Sequence, residues 1–478
     1  MTAALQLNRS GADVSVFEAG PCVGGLARSI DLWGQRVDLG PHRFFSTDAR
    51  VNQLWLDIVG REYAMVDRLT RIYYKRRFIQ YPLKPLNALW NMGLPDAAMC
   101  VASYLQELLR PDCPVSDDAS FESWVVRRFG RRLFDMFFKS YSEKLWGIPC
   151  CELSSDFAAQ RIKKLSFLEA VRSALSPQRS KRHKTLVDRF AYPLGGTGSV
   201  YERMADRLRN GGGEIHLQCP VRRILHEEFD VRGVELQSGR VEYFDHVIST
   251  MPLTNLVHGL ADVPADVRGA AAELKFRNTI LVYLHIDSES LFTDQWLYIH
   301  APDLKMGRVT NFRNWVPQLH GDARTSILAV EYWCDDTDSV WVAPDDRLIE
   351  QATHELQSTG LLRDERVLAG QVFRARRCYP VYRQGYREQV ERIADHLRNF
   401  RGLTPIGRYG TFKYNNQDHS ILMGILAAEN LLDNRAHDLW SVNSDHETYQ
   451  EDALITETGL VRRLAWPAAA GDRMVLAR

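Results

Sequence analysis

The sequence lacks an excess of charge of either sign. Its 478 residues include 60 Lys and Arg and 60 Asp and Glu, so the formal net charge is zero. Proteins that bind polyanions through a broad electrostatic field carry a clear basic excess. We therefore expect no nucleic-acid partner, although a local basic pocket is compatible with this balance.

The sequence also lacks long apolar runs and paired cysteines. No segment approaches the roughly 18 consecutive apolar residues of a membrane-spanning helix, so we expect no membrane span. The eight cysteines form no C-x-x-C pair, and none stands at zinc-ligand spacing from a histidine, so we expect no metal site. The N-terminal residues do not have the basic region and apolar core of a signal peptide. Together these features predict reduced thiols and a cytoplasmic protein.

The first twenty residues follow the order helix, turn, strand, acid. Apolar residues before Gly11 predict a helix that ends at this glycine, and the short strand after it ends at Glu18. This is the order of the second half of a dinucleotide-binding βαβ unit, where the acid binds ribose hydroxyls. The first strand and its G-x-G-x-x-G turn are missing, so we expect weaker cofactor retention and a native start upstream of Met1.

Three glycine-containing turns follow at wide intervals. The loop from Gly20 to Arg28 contains three glycines, which let backbone approach a planar ligand. The segment DLGPHRFF presents His42 beside aromatic residues, although His42 taken alone fits a turn histidine bonded to backbone better than a ligand. The segment YPLGGTGS opens a helix whose first N–H groups suit an anion or a close ligand.

The remaining chain alternates between helical and strand patterns. Residues 51–180 have mainly helical periodicity, and residues 214–250 are rich in strand patterns. Residues 276–395 mix strands with one clear helix, which predicts a second domain with its own sheet. An α/β fold with more than one domain is therefore expected.

Four separated blocks carry a resemblance to a known family. They are VFEAGPCVGGLARS, DLGPHRFF, FFKSYSEKLWGIPCCELSSDFAAQRI and GRYGTFKYNNQDHSILMG, and YPLGGTGS and CYPVY add to them. In order and content they resemble the FAD-dependent amine-oxidase and protoporphyrinogen-oxidase superfamily, and within it the UDP-galactopyranose mutases.

The resemblance implies an α/β fold with a Rossmann-like FAD-binding domain of the glutathione-reductase type, here without its first strand and glycine loop. This domain would combine residues 1–75, 190–265 and 400–435. Residues 76–189 would form a helical substrate or lid region, and residues 266–399 a sheet-containing substrate domain. Residues 436–478 would form a C-terminal tail.

The resemblance also implies FAD as the cofactor and assigns residues to it. Glu18 would bind the adenosine ribose, and Val221 would contact the adenine side. The other assigned residues are expected along the diphosphate and flavin: Gly24, Gly25, Arg28, Gly40, His42, Gly407, Arg408, Gln417, Asp418, His419 and Ser420.

For the substrate the resemblance assigns a second, partly overlapping set. The substrate-binding residues would be Trp146, Arg161, Tyr379, Tyr414 and Asn416, and the catalytic ones His42, Arg161 and Arg408. Arginine forks and tyrosine hydroxyls suit a diphosphate. Tyr379 also fits a core position, Arg161 also fits a surface ion pair, and the choice between Asn415 and Asn416 stays open.

The implied reaction is the isomerisation of a nucleotide-linked pyranose to the furanose. Reduced FAD would act as the covalent catalyst without net redox change, and NAD(P)H is a candidate reductant. One alternative is an FAD-dependent oxidase or dehydrogenase of the amine-oxidase or protoporphyrinogen-oxidase type, with an apolar or aromatic pocket. Another is a non-catalytic relative without flavin, because the phosphate-binding glycine loop is missing.

Overall fold

The computed structural model describes residues 1–81, 94–110, 120–156, 189–443 and 453–462. The strands of these ranges are β1 Ser15–Phe17, β2 Ser29–Leu32, β3 Gln35–Asp38, β4 Tyr63–Asp67, β5 Thr70–Tyr74, β6 Arg77–Gln80, β7 Arg189–Pro193, β8 Glu214–His216, β9 Val221–Glu227, β10 Asp230–Leu236, β11 Val241–Tyr243, β12 Val247–Ser249, β13 Phe276–Ile286, β14 Trp296–Ile299, β15 Arg308–Asn311, β16 Ser326–Cys334, β17 Val367–Pro380, β18 Leu403–Pro405, β19 Ala453–Thr456 and β20 Gly459–Arg462.

The helices of the same ranges vary from one turn to four. They are α1 Thr2–Arg9, α2 Ala49–Val59, α3 Leu94–Leu108, α4 Phe121–Phe129, α5 Arg131–Phe134, α6 Ser140–Trp146, α7 Gly198–Asn210, α8 Leu253–His258, α9 Ala265–Glu273, α10 Asp345–Thr359, α11 Tyr386–Arg398, α12 Gly407–Gly410 and α13 Gln417–Leu432. Within the described part of the chain, no helix combines the length and apolar character needed to cross a bilayer.

A seven-stranded mixed sheet forms the largest core. Its strand order is β17-β13-β16-β15-β14-β5-β6, and β14 pairs with β5 in parallel while the other pairs are antiparallel. Along β13, Ile280 and Val282 face one apolar cluster, whereas Leu281 and Tyr283 face another. This alternation follows the two-residue period of a strand. Because both faces are covered, the middle of β13, residues 280–284, reads ILVYL without a charged residue.

Two short parallel pairs and a three-stranded antiparallel sheet form a second region. Strand β1 pairs with β8, β12 pairs with β18, and β11-β10-β9 forms the antiparallel sheet. Helix α1 packs against α7 and α13 beside these pairs. An α/β fold with a mixed sheet is thus confirmed, and the predicted helix before Gly11 and strand before Glu18 are α1 and β1.

One secondary-structure expectation was wrong. Residues 63–80 form β4, β5 and β6 within a stretch where helical periodicity was expected. Strands β5 and β6 are joined by a tight turn at Lys75 and Arg76, which have φ of 48° and 59°. Asn-Gly or Asp-Gly is the usual sequence signal for a two-residue hairpin turn, and this turn contains neither. The sequence therefore did not predict the hairpin.

The predicted domain limits stay a prediction.

Candidate functional site

Glu18 lies at the carboxyl end of parallel strand β1. Its backbone N–H donates to the carbonyl of His216, and its Oε1 accepts a hydrogen bond of 2.6 Å from the N–H of Gly20. The ends of parallel strands are the usual edge at which α/β folds bind ligands. Val221, which begins β9, follows the partner strand β8, so Glu18 and Val221 border the same short parallel pair.

The glycine loop after Glu18 exposes backbone and presents Arg28. Gly24 and Gly25 have φ of 102° and 56°, and a Cβ on Gly25 would meet nothing within 4 Å. The Arg28 guanidinium lies 4.9 Å from the ring centre of Phe373, and its Nη1 is 3.5 Å from Cys22 Sγ. Its Nε is buried without a hydrogen-bond partner among the described residues. A buried, unsatisfied donor of this kind fits a ligand acceptor.

The glycine turn of YPLGGTGS meets an anion of the chain itself. We expected the first N–H groups of this helix, α7, to face an anion or ligand. Instead the buried carboxylate of Asp38 accepts from Thr197 N at 3.1 Å, and Ser29 Oγ accepts from Gly198 N at 2.8 Å. The N-terminus of α7 therefore does face a negative charge, as expected, but the charge belongs to Asp38.

His42 is a neutral imidazole beside this cluster. Burial, assisted by the positive charges of Arg308 and Arg408, lowers the pKa of His42 to about 3. Its Nδ1 is buried and has no hydrogen-bond partner in the described ranges, and its carbonyl accepts from Thr197 Oγ1 at 2.9 Å. The neighbouring Gly40, with φ of 99°, leaves room for Glu331, whose Oε1 would lie 3.2 Å from a Cβ there. The turn that carries His42 therefore lies against the large sheet.

The residues assigned to FAD fit that group in three respects. Glu18 ends a parallel strand, and buried nitrogen atoms of Arg28 and His42 lack partners within the described chain. Open space borders Gly25 and also Gly407, where a Cβ would meet only Thr250 at 3.9 Å. Positive φ at both glycines lets the backbone itself approach a ligand.

Arg408 is held by backbone carbonyls between two tyrosine rings. Its Nε and Nη2 donate to the Cys378 carbonyl at 2.9 and 2.6 Å, and Nη1 donates to the Asn415 carbonyl at 2.9 Å. The guanidinium carbon lies 5.0 Å from the Tyr379 ring centre and 4.4 Å from that of Tyr414. No carboxylate of the described residues lies within ion-pair distance of Arg408, so its charge is not neutralised.

Arg308 and Glu331 complete the site, and sequence inspection missed both. Arg308 Nε and Nη2 donate to the Glu331 carboxylate at 2.7 and 2.6 Å, and Glu331 is 1% exposed. Arg308 Nη2 also lies 3.4 Å from the hydroxyl of Tyr379. The pair joins adjacent strands β15 and β16. A charged residue inside an apolar strand such as SILAVEYW was the available signal for Glu331.

Trp146 forms an aromatic wall with three tyrosines. Its ring centre lies 6.2 Å from that of Tyr379, 6.0 Å from that of Tyr382 and 6.0 Å from that of Tyr414. Trp146 is fully buried at the end of α6, and Lys144 in the same helix donates to the Ala301 carbonyl at 2.6 Å. Trp146 therefore belongs to a helix fixed against the large sheet, while Tyr379 lies on β17 of that sheet.

The block NNQDHS forms the start of α13. Asn416 caps this helix, since its side chain accepts from the backbone of His419 and its own N–H donates to His419 Nδ1 at 3.2 Å. Asn415 is buried, and its Oδ1 accepts from Asn443 at 3.0 Å. Gln417 Nε2 lies 3.5 Å from the Arg43 carbonyl, which brings this turn beside His42.

The structure thus brings most of the assigned residues together. His42, Arg408, Tyr379, Tyr414 and Trp146 share one region, to which α13 contributes a buried Asp418 and His419 and a half-buried Ser420. Arg161 lies outside the described residues. The roles assigned to the individual residues remain predictions.

One family model matches most of the chain, and several solved structures share its fold. Residues 1–411 match the model of the family described as flavin containing amine oxidoreductase. The solved structure of a reduced UDP-galactopyranose mutase is similar, with 21% sequence identity, a TM-score of 0.81 and coverage of 94% of each chain. A proposed protoporphyrinogen oxidase from Exiguobacterium sp. 255-15 is 17% identical, with a TM-score of 0.70 over 91% of this chain and 96% of that one. A triple mutant of a putrescine oxidase is 16% identical, with a TM-score of 0.61 over 91% and 96%. At these identities the structural matches show a shared fold.

Proposed function

We propose, from the premise that the chain belongs to the flavin containing amine oxidoreductases and is a flavoenzyme, that it isomerises a nucleotide-linked sugar between its pyranose and furanose forms. FAD is the cofactor that the family implies. The substrate class is the part of the proposal that goes beyond family membership.

The observation that carries the proposal is the unpaired charge of Arg408. Its guanidinium lies, partly buried, between Tyr379 and Tyr414 and is bonded to carbonyl oxygens, which orient it without cancelling its charge. Three of the five guanidinium N–H groups are used in this way, which leaves two. One remaining N–H lies on Nη1 and one on Nη2, and two donors on a fixed cation suit the oxygens of a diphosphate.

The nearby ion pair of Arg308 and Glu331 does not offset the charge of Arg408. Arg308 and Glu331 are bonded to each other and contribute opposite charges. Because His42 is neutral, Arg408 is the unbalanced positive charge among Arg308, Glu331, His42 and Arg408. A protonated amine would meet repulsion there, whereas an anionic substrate would meet attraction. The sign of the charge thus favours a nucleotide sugar over an amine.

The aromatic wall is the observation that favours the second candidate, an oxidase. Trp146, Tyr379 and Tyr414 match the aromatic pocket expected for oxidation of an amine or a porphyrinogen. Aromatic rings also pack against sugars and against a guanidinium, so the wall alone does not separate the candidates. The charge of Arg408 supports the isomerase.

Each residue then has a defined task. When bound in its reduced form, FAD supplies the nucleophile and the electron reservoir for a reaction without net redox change. Arg408 and the hydroxyls of Tyr379 and Tyr414 would bind the departing diphosphate. His42 would present an uncharged ring to the flavin, and Trp146 would exclude water from the reacting carbon.

The experiment is a reaction of dithionite-reduced holoenzyme with a panel of nucleotide sugars. We expect a furanose product by chromatography from at least one of them, and sustained turnover with NAD(P)H where that donor reduces the flavin. No furanose from any nucleotide sugar, together with oxygen consumption on an amine or a porphyrinogen, would replace the proposal with the oxidase. A purified protein without flavin absorbance after incubation with FAD would favour the non-catalytic alternative.

A further inference from the structure

The turn that carries His42 is attached to the start of α7 through a buried carboxylate. Asp38 ends β3, four residues before His42, and its side chain is 0% exposed. Asp38 Oδ1 accepts from Ser29 Oγ at 2.6 Å and from Thr197 N at 3.1 Å, and Oδ2 accepts from Tyr192 OH at 2.7 Å. Three separate segments of chain are therefore bonded to one carboxylate.

Thr197 links Asp38 to His42, because it is hydrogen-bonded to both residues. It occupies the residue before the first turn of α7, where a threonine hydroxyl normally caps the helix. Here its side chain makes no capping bond. Its Oγ1 donates instead to the His42 carbonyl at 2.9 Å, while its N–H is bonded to Asp38. The segment from Asp38 to His42 is thus fixed at both ends to the same residue.

The same cluster also holds the backbone of Arg28. Ser29 Oγ donates to Asp38 and accepts from Gly198 N at 2.8 Å. A Cβ on Gly198 would lie 2.3 Å from Ser29 N and 3.1 Å from the carbonyl carbon of Arg28, so the helix start contacts this peptide directly. Glycine is required at this close approach.

A buried carboxylate without a cation is a costly way to join secondary-structure elements. No cationic side chain of the described residues pairs with Asp38, and the charge is balanced only by hydrogen bonds and the N-terminal dipole of α7. An apolar residue of similar volume would avoid the desolvation penalty of the buried charge. A carboxylate at this position therefore indicates that the geometry of its hydrogen bonds matters.

We infer that Asp38 is a positioning residue for the flavin site, acting through Thr197 on the His42 turn and through Ser29 on the Arg28 peptide. The inference depends on flavin binding by the family fold, and it does not depend on the nucleotide-sugar reaction.

The test uses a matched pair at Thr197 that leaves the carboxylate in place. Thr197→Val removes the bond to the His42 carbonyl with little change of volume, and Thr197→Ser retains it. We expect Thr197→Val to raise the dissociation constant of FAD about tenfold, the effect of losing one buried hydrogen bond, and to alter the visible circular dichroism of bound flavin. Thr197→Ser and the exposed control Asp31→Asn should match the wild type in both.

A second measurement needs no cofactor. Hydrogen exchange at the amides of residues 40–44 should accelerate about tenfold in Thr197→Val relative to Thr197→Ser, because the turn loses its attachment. Asp38→Ala should accelerate exchange at this turn and at the start of α7, and Asp38→Asn less so.

A purely structural role predicts a different pattern. It would lower the melting temperature of Thr197→Val and leave the flavin circular dichroism and the local exchange as in Thr197→Ser. That result overturns the inference, as does an unchanged FAD dissociation constant with unchanged exchange. Because no readout uses a nucleotide sugar, failure of the isomerase proposal leaves this test intact.

Discussion

Replacing Arg408 by methionine tests whether its unpaired charge recognises a diphosphate. Methionine keeps an unbranched apolar stem between Tyr379 and Tyr414 but removes the charge and all donors. The wild-type guanidinium donates three hydrogen bonds to the Cys378 and Asn415 carbonyls and has two N–H groups left for a ligand. Arg408→Met therefore removes the two guanidinium N–H groups that are left for a ligand.

The expected magnitude follows from those two donors. A hydrogen bond between charged groups contributes about 1.5–3 kcal/mol, and the two share one cation, so a combined loss of about 3 kcal/mol is reasonable. Such a loss weakens the binding of a nucleoside diphosphate about 100-fold. Arg408→Lys keeps the charge without the planar fork, and we expect a weakening of about tenfold.

Isothermal titration calorimetry with UDP measures the affinity, at a temperature where each variant is folded. Arg374→Met is the matched control. Arg374 lies on β17 and also donates to backbone carbonyls, those of Trp341 and Ala343, but it pairs with Asp345. UDP affinity equal to wild type in Arg408→Met, or an equal loss in the Arg374 control, would refute the reasoning.

The same variant has a second consequence that does not depend on any substrate. The positive charge of Arg408 contributes to the lowered pKa of His42, together with burial, which is the larger cause, and Arg308. Removing that charge should raise the His42 pKa above its value of about 3 while burial keeps it below the ordinary value for histidine. NMR titration of the imidazole resonances reports this, and an unchanged or lower pKa would show that Arg408 does not face His42.

Three further predictions concern the surrounding residues. Glu331→Gln leaves the buried Arg308 without its counter-charge, so the free energy of unfolding in urea should fall by about 3 kcal/mol, and a fall below about 1 kcal/mol would contradict the pairing. Glu18→Gln should weaken FAD binding about tenfold in a fluorescence titration, because the ribose loses a charged acceptor, and equal affinity would remove Glu18 from the site. Burial raises the pKa of Asp38 to about 6, so the folded protein binds this proton more tightly than the unfolded chain does. The stability of the wild type relative to Asp38→Asn should therefore fall by about 3 kcal/mol as pH rises from roughly 3 to 7, and a pH-independent difference would contradict it.

Local patterns predicted the elements whose signal lies within one short segment. The helix before Gly11 and the strand before Glu18 were predictable because periodicity and a terminal glycine mark them directly. The segments TILVYLHI and SILAVEYW predicted strands for the same reason, and both lie in the large sheet. The β5–β6 hairpin was not predictable, because its turn uses Lys75 and Arg76 at positive φ in place of glycine or asparagine.

Site residues could be predicted only where they lie in a sequence block that resembles a known family. His42, Arg408 and Tyr414 stand in blocks that resemble a family, so they could be assigned before their positions were known. Arg308 stands in no such block, and Asp38 opens the block DLGPHRFF but was assigned no role there. Their importance comes from partners that are far away in sequence, Glu331 on the next strand and Thr197 at 159 residues' distance. Such pairings arise from sheet order and helix placement, which a single sequence does not reveal.

The two partly buried arginines of the site differ in how their positive charge is balanced. Arg308 is neutralised by a carboxylate, whereas Arg408 is oriented by carbonyl dipoles that leave its charge in place. In a partly buried site the net charge decides which ionic group can enter, because solvent screens it weakly. Carbonyl partners offset part of the desolvation cost of Arg408 without removing the attraction for an anion. Under the proposed function, the choice between a carboxylate partner and carbonyl partners for such an arginine would decide whether the site attracts an anionic nucleotide sugar or admits a cationic amine.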